Sequence, residues 1–154
     1  MPIERLESNA RGDERRVAIV QSRFNPSIGA GLLEGALRAL AEAGVAEERI
    51  TLLTVPGALE IPLALQRLAQ SGDYDVLVAL GAVIRGDTYH FDIVANESAA
   101  GVASVALEVG VPIGNGILTC DTDAQAEARM AAKGAEAAQA ALELANLLDA
   151  IDRR

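Results

Sequence analysis

A chain of 154 residues, 51% hydrophobic and 23% charged, has the composition of one globular domain with apolar material enough for a core, and not that of a disordered segment. Its 13 basic against 22 acidic residues leave a net charge of -9, which argues against nucleic acid or an anionic membrane surface as a partner. A lone cysteine, Cys120, excludes an intrachain disulfide, and the polar start MPIERLESNARGDERR lacks a signal-peptide core, so a soluble cytoplasmic protein is expected.

Residues 1–14 read as a flexible N-terminal arm without chemistry of its own, ahead of a single domain over 15–154. Arg16 to Gln21 is a short apolar strand that ends in the turn Ser22-Arg23-Phe24-Asn25-Pro26. Ser27 is placed to cap a helix with apolar positions Ile28, Leu32, Leu33, Ala36, Leu37 and Leu40, which Gly44 ends. A second strand, Ile50 to Val55, runs into Pro56-Gly57-Ala58-Leu59-Glu60 and a helix with Ile61, Leu65 and Leu68 on one face, closing near Gly72.

Val76 to Ile84 is an unbroken, β-branched apolar run, the signature of a parallel strand buried on both faces. After Arg85-Gly86-Asp87-Thr88 comes a helix from about Tyr89 to Val109, with Val94, Ala95, Ser98, Val102, Val105 and Ala106 inward. The fourth strand, Val111 to Thr119, carries Gly114 and Gly116, which suggest a bulge or close approach by another backbone or a ligand. From Asp121 the chain is helical and alanine-rich: an acidic first part to about Ala132, then a long helix through Leu148. The alternation predicts an α/β, flavodoxin-like three-layer α/β/α sandwich on a four-stranded parallel sheet of order 2-1-3-4. Strands one and three then lie side by side at the switch point, the usual place for a site.

Three strand ends on the same edge of that sheet carry candidate residues. Phe24 stands in a turn, where an aromatic ring gains little unless it covers something; it suits a planar heterocycle, or else folds over the neighbouring helix. Glu60, at a helix N-terminus, is either a dipole-stabilising carboxylate or an acceptor for ligand hydroxyls. Gly86 to Thr88 would face backbone N–H groups toward an anion at the positive end of the following helix. His90, the chain's one histidine, lies in that helix's first turn, where the dipole disfavours imidazolium; a mostly neutral ring able to accept or relay a proton is expected. No second histidine or further cysteine is there to build a zinc site. Arg129 and Lys133 stand i, i+4, either a solvated face near Glu127 or a phosphate clamp serving a neighbouring subunit. No Walker A, GxGxxG or GxSxG motif occurs.

Taken together, Arg23-Phe24-Asn25, Val55-Pro56-Gly57-Ala58-Leu59-Glu60-Ile61-Pro62, Leu80-Gly81-Ala82-Val83-Ile84-Arg85-Gly86, His90-Phe91-Asp92 and Asn115-Gly116-Ile117-Leu118-Thr119 resemble the 6,7-dimethyl-8-ribityllumazine synthase family, over about Arg16 to Leu148. The resemblance implies condensation of 5-amino-6-ribitylaminouracil with 3,4-dihydroxy-2-butanone 4-phosphate, without metal or organic cofactor, in sites between subunits of a homopentamer. Twelve pentamers form a shell in some members, and riboflavin synthase is a candidate partner. By motif, Phe24 would stack on the pyrimidine, while Asn25 and the backbone at Ala58 and Leu59 place the uracil and its ribityl chain. Glu60 would hold ribityl hydroxyls, and Val83 and Ile84 line the pyrimidine pocket. Gly86, Asp87 and Thr88 would bind the phosphate, joined by Arg129 and Lys133 of the adjacent chain, and His90 would move the proton. Two departures stand out: the Arg129-to-Lys133 connection is shorter than usual, and Asn115 occupies a place where many members carry a phenylalanine against the neighbour's ligand. Other readings are a flavin- or lumazine-binding paralogue with little turnover, a structural shell protein, and the related archaeal-type riboflavin synthase.

Overall fold

The computed structural model describes residues 2–154. Its strands are β1 (Val17–Ser22), β2 (Ile50–Val55), β3 (Val76–Ile84) and β4 (Ile113–Cys120), and its helices α1 (Pro26–Glu42), α2 (Ile61–Ser71), α3 (His90–Val109) and α4 (Asp123–Asp152). The four strands form one parallel sheet in the order β2-β1-β3-β4. The expected flavodoxin-like α/β sandwich is therefore the one observed.

The register shows why the central strands read as continuous apolar runs. In β1, Val17 and Ile19 enter the core beneath α1 and α4, while Ala18 and Val20 enter the core beneath α2 and α3. The same division holds on β3, where Val76, Val78 and Leu80 face one way and Leu77, Ala79 and Val83 the other. With helices on both faces, neither side of a central strand meets water, and no polar alternation survives. The edge strand β2 differs: Thr51, Leu52 and Thr54 are exposed, with Leu52 at 45%.

Helix starts and stops depart from expectation in α1 and in α4, which runs to Asp152 and not only to Leu148. Asn25, not Ser27, is the N-cap of α1: it adopts left-handed geometry (φ 57°, ψ 67°), and Pro26 takes the first helical position. Its carbonyl accepts from the N–H groups of Ile28 and Gly29, both at 3.1 Å. From Asp123 there is one uninterrupted helix of 30 residues, not an acidic piece followed by a separate one. Thr122 and Gln125 cap it reciprocally, Thr122 Oγ1 accepting from Gln125 N at 3.2 Å.

Helices α1 and α4 pack backbone to backbone where they cross. A Cβ on Gly134 would fall on the carbonyl oxygen of Leu32 in α1, and one on Gly35 would fall on that of Ala131. Gly114 in β4 is bare for the same reason, lying under the carbonyl of Ala137. The glycines of β4 thus mark close approach by another backbone, and the β3–β4 register runs without a bulge.

The segment before β1 is tied to the ends of α1 and α4. Gly12 N donates to Ala43 O at 2.8 Å, and Asn146 Nδ2 donates to the carbonyls of Asn9 at 2.7 Å and Arg11 at 2.9 Å. Arg15 pairs with Asp149 at 2.6 Å.

Candidate active site

Parallel strands put all their C-terminal ends on one edge, so the β1–α1, β2–α2 and β3–α3 turns gather there. They enclose an open cleft of about 400 Å³, within the usual range for a small-molecule site. Its walls are largely apolar. Phe24 supplies a ring from the first turn, Gly57 to Glu60 form the second side, and Val83 and Ile84 end β3 at its floor. Gly86, Thr88 and His90 close the third side, with Phe91 and Val94 behind them.

Phe24 is 70% exposed, an unfavourable position for an aromatic ring that covers nothing. Left-handed Asn25 next to it turns the chain sharply into α1; asparagine is among the few non-glycine residues that tolerate this geometry. The Asn25 side-chain nitrogen is buried without a hydrogen-bond partner, and Asn25 itself does not line the cleft. The stem of the turn is fixed by Arg23, whose N–H donates to Val55 O at 2.8 Å and whose Nη1 donates to Thr54 Oγ1 at 3.0 Å.

Glu60 closes a one-turn 3-10 helix, Ala58–Glu60, ahead of α2. Its Oε1 accepts from Gly57 N at 2.8 Å, so the carboxylate shapes its own loop. A carboxylate accepts more than one hydrogen bond, which leaves capacity for hydroxyl groups in the cleft. The capping and ligand readings of Glu60 are thus compatible in one conformation.

His90 is the first residue of α3 and is exposed, with its backbone N–H turned to Thr88 Oγ1 at 3.4 Å. Asp87 lies on the same exposed turn without lining the cleft. Beside it, Arg85 Nε donates to Asp121 Oδ1 at 2.7 Å, and Nη1 lies 3.8 Å from Asp92 Oδ1. The Asp121 hydrogen bond raises the guanidinium's pKa above its ordinary value, against an opposing desolvation and with help from the charges of Asp121 and Asp92.

Asn115, Arg129 and Lys133 do not line this cleft. Asn115 sits opposite Ala79, midway along edge strand β4, its Oδ1 accepting from Ile117 N at 2.9 Å. Arg129 and Lys133 border a second hollow, of about 590 Å³, between β4 and α4. Arg129 Nη1 donates to Gln125 O at 2.9 Å, and among the described residues neither cation pairs with a carboxylate.

Ala82, Phe91 and Val94 line the cleft although the sequence pattern did not mark them as site residues. Val94 had a findable signal, since it stands i+4 from His90 and so shares its helix face. Among the described residues no cluster of three metal-ligating side chains occurs, and no helix is long and apolar enough to cross a membrane.

Fold and cleft together define a flavodoxin-like α/β protein with a small-molecule site at the switch point between β1 and β3. Comparison with known proteins narrows this. The family model for 6,7-dimethyl-8-ribityllumazine synthase matches residues 14–149. A 6,7-dimethyl-8-ribityllumazine synthase of Burkholderia multivorans is 54% identical over 153 residues, covering 99% of this chain and 89% of its own. One of Cupriavidus metallidurans is 56% identical over 146 residues, 95% of this chain and 86% of its own, and one of Paraburkholderia phymatum is 52% identical over 153 residues. The chain belongs to the 6,7-dimethyl-8-ribityllumazine synthase family, transferases of riboflavin biosynthesis.

Proposed function

We propose that this cleft condenses 5-amino-6-ribitylaminouracil with 3,4-dihydroxy-2-butanone 4-phosphate to give 6,7-dimethyl-8-ribityllumazine, with loss of water and phosphate. The observation that carries the assignment of roles is the meeting of an exposed ring, Phe24, with His90 and a glycine-containing turn across one apolar-walled cleft. The pyrimidine lies on Phe24 above Val83 and Ile84, with the backbone at Ala58 and Leu59 reading its polar edge and Asn25 shaping the turn that carries Phe24. Glu60 accepts from the ribityl hydroxyls. The phosphate sits over Gly86, Asp87 and Thr88, at the N-terminus of α3, where N–H groups and the helix dipole favour a dianion.

The chemistry then needs little beyond placement and one proton path. The uracil's amine attacks the ketone and loses water to form an imine. A proton leaves the carbon next to the imine as phosphate departs from the neighbouring one; the enol so formed takes up a proton to become a ketone, and the ribitylamino nitrogen closes the ring on it with loss of a second water. His90 is the group within the cleft able to carry that proton. Two freely diffusing substrates held in contact also gain from lost bimolecularity, so positioning supplies much of the acceleration.

Arg129 and Lys133 complete the phosphate site of an adjoining subunit in a homo-oligomer, a pentamer or a multiple of one. Their position outside the cleft of their own chain, unpaired with any carboxylate among the described residues, supports that arrangement. Asn115, exposed on edge strand β4, would likewise meet a neighbour's ligand and give the lid of the site a polar edge. The reaction uses no cofactor and takes place in the cytoplasm, where riboflavin synthase is the enzyme able to consume the product.

The test mixes purified protein with both substrates and follows lumazine fluorescence against the uncatalysed rate. Acceleration saturable in both substrates is expected. Tight flavin binding without acceleration would instead make the chain a binder. Light scattering on the same sample should give a mass of five chains or a multiple of five.

A further inference from the structure

The turn that joins β3 to α3 has little of its own to hold it. Residues 86–89 are all exposed, and a Cβ on Gly86 would meet nothing within 4 Å. The one side-chain hydrogen bond inside the turn is the long 3.4 Å contact between His90 N and Thr88 Oγ1. Yet the reaction requires phosphate, held by this turn, to keep a fixed distance from His90 at its end.

Arg85, which precedes the turn, reaches across it. Its guanidinium lies 4.4 Å from the centroid of the Phe91 ring, and its Nη1 lies 3.8 Å from Asp92 Oδ1. Its Nε donates to Asp121 at 2.7 Å, and its backbone N–H continues the sheet by donating to Cys120 O at 2.9 Å. Phe91 is buried and walls the cleft next to His90. Asp121 is itself held: its N–H donates to Gln125 Oε1 at 2.8 Å, at the capped start of α4. A single planar group thus ties the residue before the turn to the two residues after His90 and to a fixed helix end, using a fork geometry that lysine lacks.

Arg85 does not line the cleft. With a carboxylate on each side, it is also poorly suited to bind phosphate directly. We propose that Arg85 is a positioning residue for lumazine formation, stapling the phosphate turn to the first turn of α3 and so setting the distance between bound phosphate and His90. The proposal rests on the reading of Gly86 to Thr88 as the phosphate turn.

Arg85→Met, Arg85→Lys and Asp121→Ala, each in the assembled protein, test it through steady-state kinetics in both substrates. A loosened turn is expected to raise KM for the butanone phosphate about tenfold or more and to lower kcat, since small misplacements are costly in such sites. KM for the pyrimidine should stay within about twofold of wild type, as should the thermal midpoint to within a few degrees, because both partners are exposed. Asp121→Ala keeps the arginine's charge, and Arg85→Lys keeps a cation, so a shared defect means geometry and not charge. Were Arg85 a direct phosphate ligand, Asp121→Ala would leave phosphate binding unchanged or tighter and Arg85→Lys would restore activity; either result overturns the proposal. Equal losses for both substrates, or three variants indistinguishable from wild type, overturn it as well. Wild-type protein with no phosphate-dependent turnover would remove the phosphate-turn reading and this proposal together, whereas normal wild-type kinetics with unaffected variants removes the proposal alone.

Discussion

Replacing Gly134 by alanine would set one methyl group between α4 and α1. At an exposed helix position that change stabilises by about 1 kcal/mol, because alanine loses less backbone freedom. Here the new Cβ would fall on the Leu32 carbonyl oxygen, with Leu32 C at 2.9 Å and Ala36 N at 3.1 Å, so every obstacle is backbone. Relief requires the two helices to part, which loosens the core around Leu32, Ala36, Ala138 and Leu142. Overpacking of this kind costs about 1–3 kcal/mol or more, and with backbone on both sides the upper end applies. The net is a loss of about 2 kcal/mol, or a fall of roughly 4–8 °C in the thermal midpoint for a domain of this size. Gly31→Ala is the internal control at the same helix pair, since its Cβ meets only the flexible side chain of Met130. Thermal unfolding of both variants and wild type at matched protein concentration reads the contrast. A Gly134→Ala protein as stable as wild type, or a Gly31→Ala protein equally damaged, would refute the reasoning from backbone contact.

Three further outcomes are expected. His90→Ala should lower kcat by about a hundredfold, as for loss of a general acid–base, while product affinity measured by fluorescence stays within about twofold; a parallel loss of affinity would contradict a proton-transfer role. Arg129→Ala should raise KM for the phosphate substrate by about tenfold or more, the worth of a charge-assisted hydrogen bond, with little change for the pyrimidine. An unmoved KM takes Arg129 out of the site. Ser22→Ala should be neutral or stabilising by up to about 1 kcal/mol in chemical denaturation, because the 1% exposed Ser22 hydroxyl has no partner to lose. Clear destabilisation there would mean that the hydroxyl is satisfied in solution.

How far the sequence could be read depended on whether a feature is local. The β3 run was legible because burial on both faces makes a strand apolar throughout, and the βα alternation then left few strand orders to consider. Even edge strand β2, with half its side chains in water, declared itself through β-branched residues. Glycines were harder, because a glycine serves either a turn or a close neighbour. Gly44, Gly72 and Gly110 take positive φ at helix ends, and the first two are legible as stops. Gly134, inside what looked like two helical pieces, is instead the point of closest contact with α1, which sequence spacing alone does not disclose. The same holds for Asn25: only the backbone reveals that a left-handed asparagine ahead of Pro26 displaces Ser27 from the cap.

The cleft followed the same rule one level up. Residues in strand-end loops could be gathered in advance, since a parallel sheet sends those loops to one edge. Residues that act through a distant partner could not. Arg85 and Asp121 are 36 positions apart, and nothing in either local pattern links them. Motif reading finds groups that touch a ligand because their spacing is bound to one loop; a group that holds such a loop in place draws its partners from wherever the fold brings them. The residues around His90 therefore divide into those whose chemistry is visible in the chain and one, Arg85, whose part emerges only when β3 is seen to end, and α3 and α4 to begin, at the same corner.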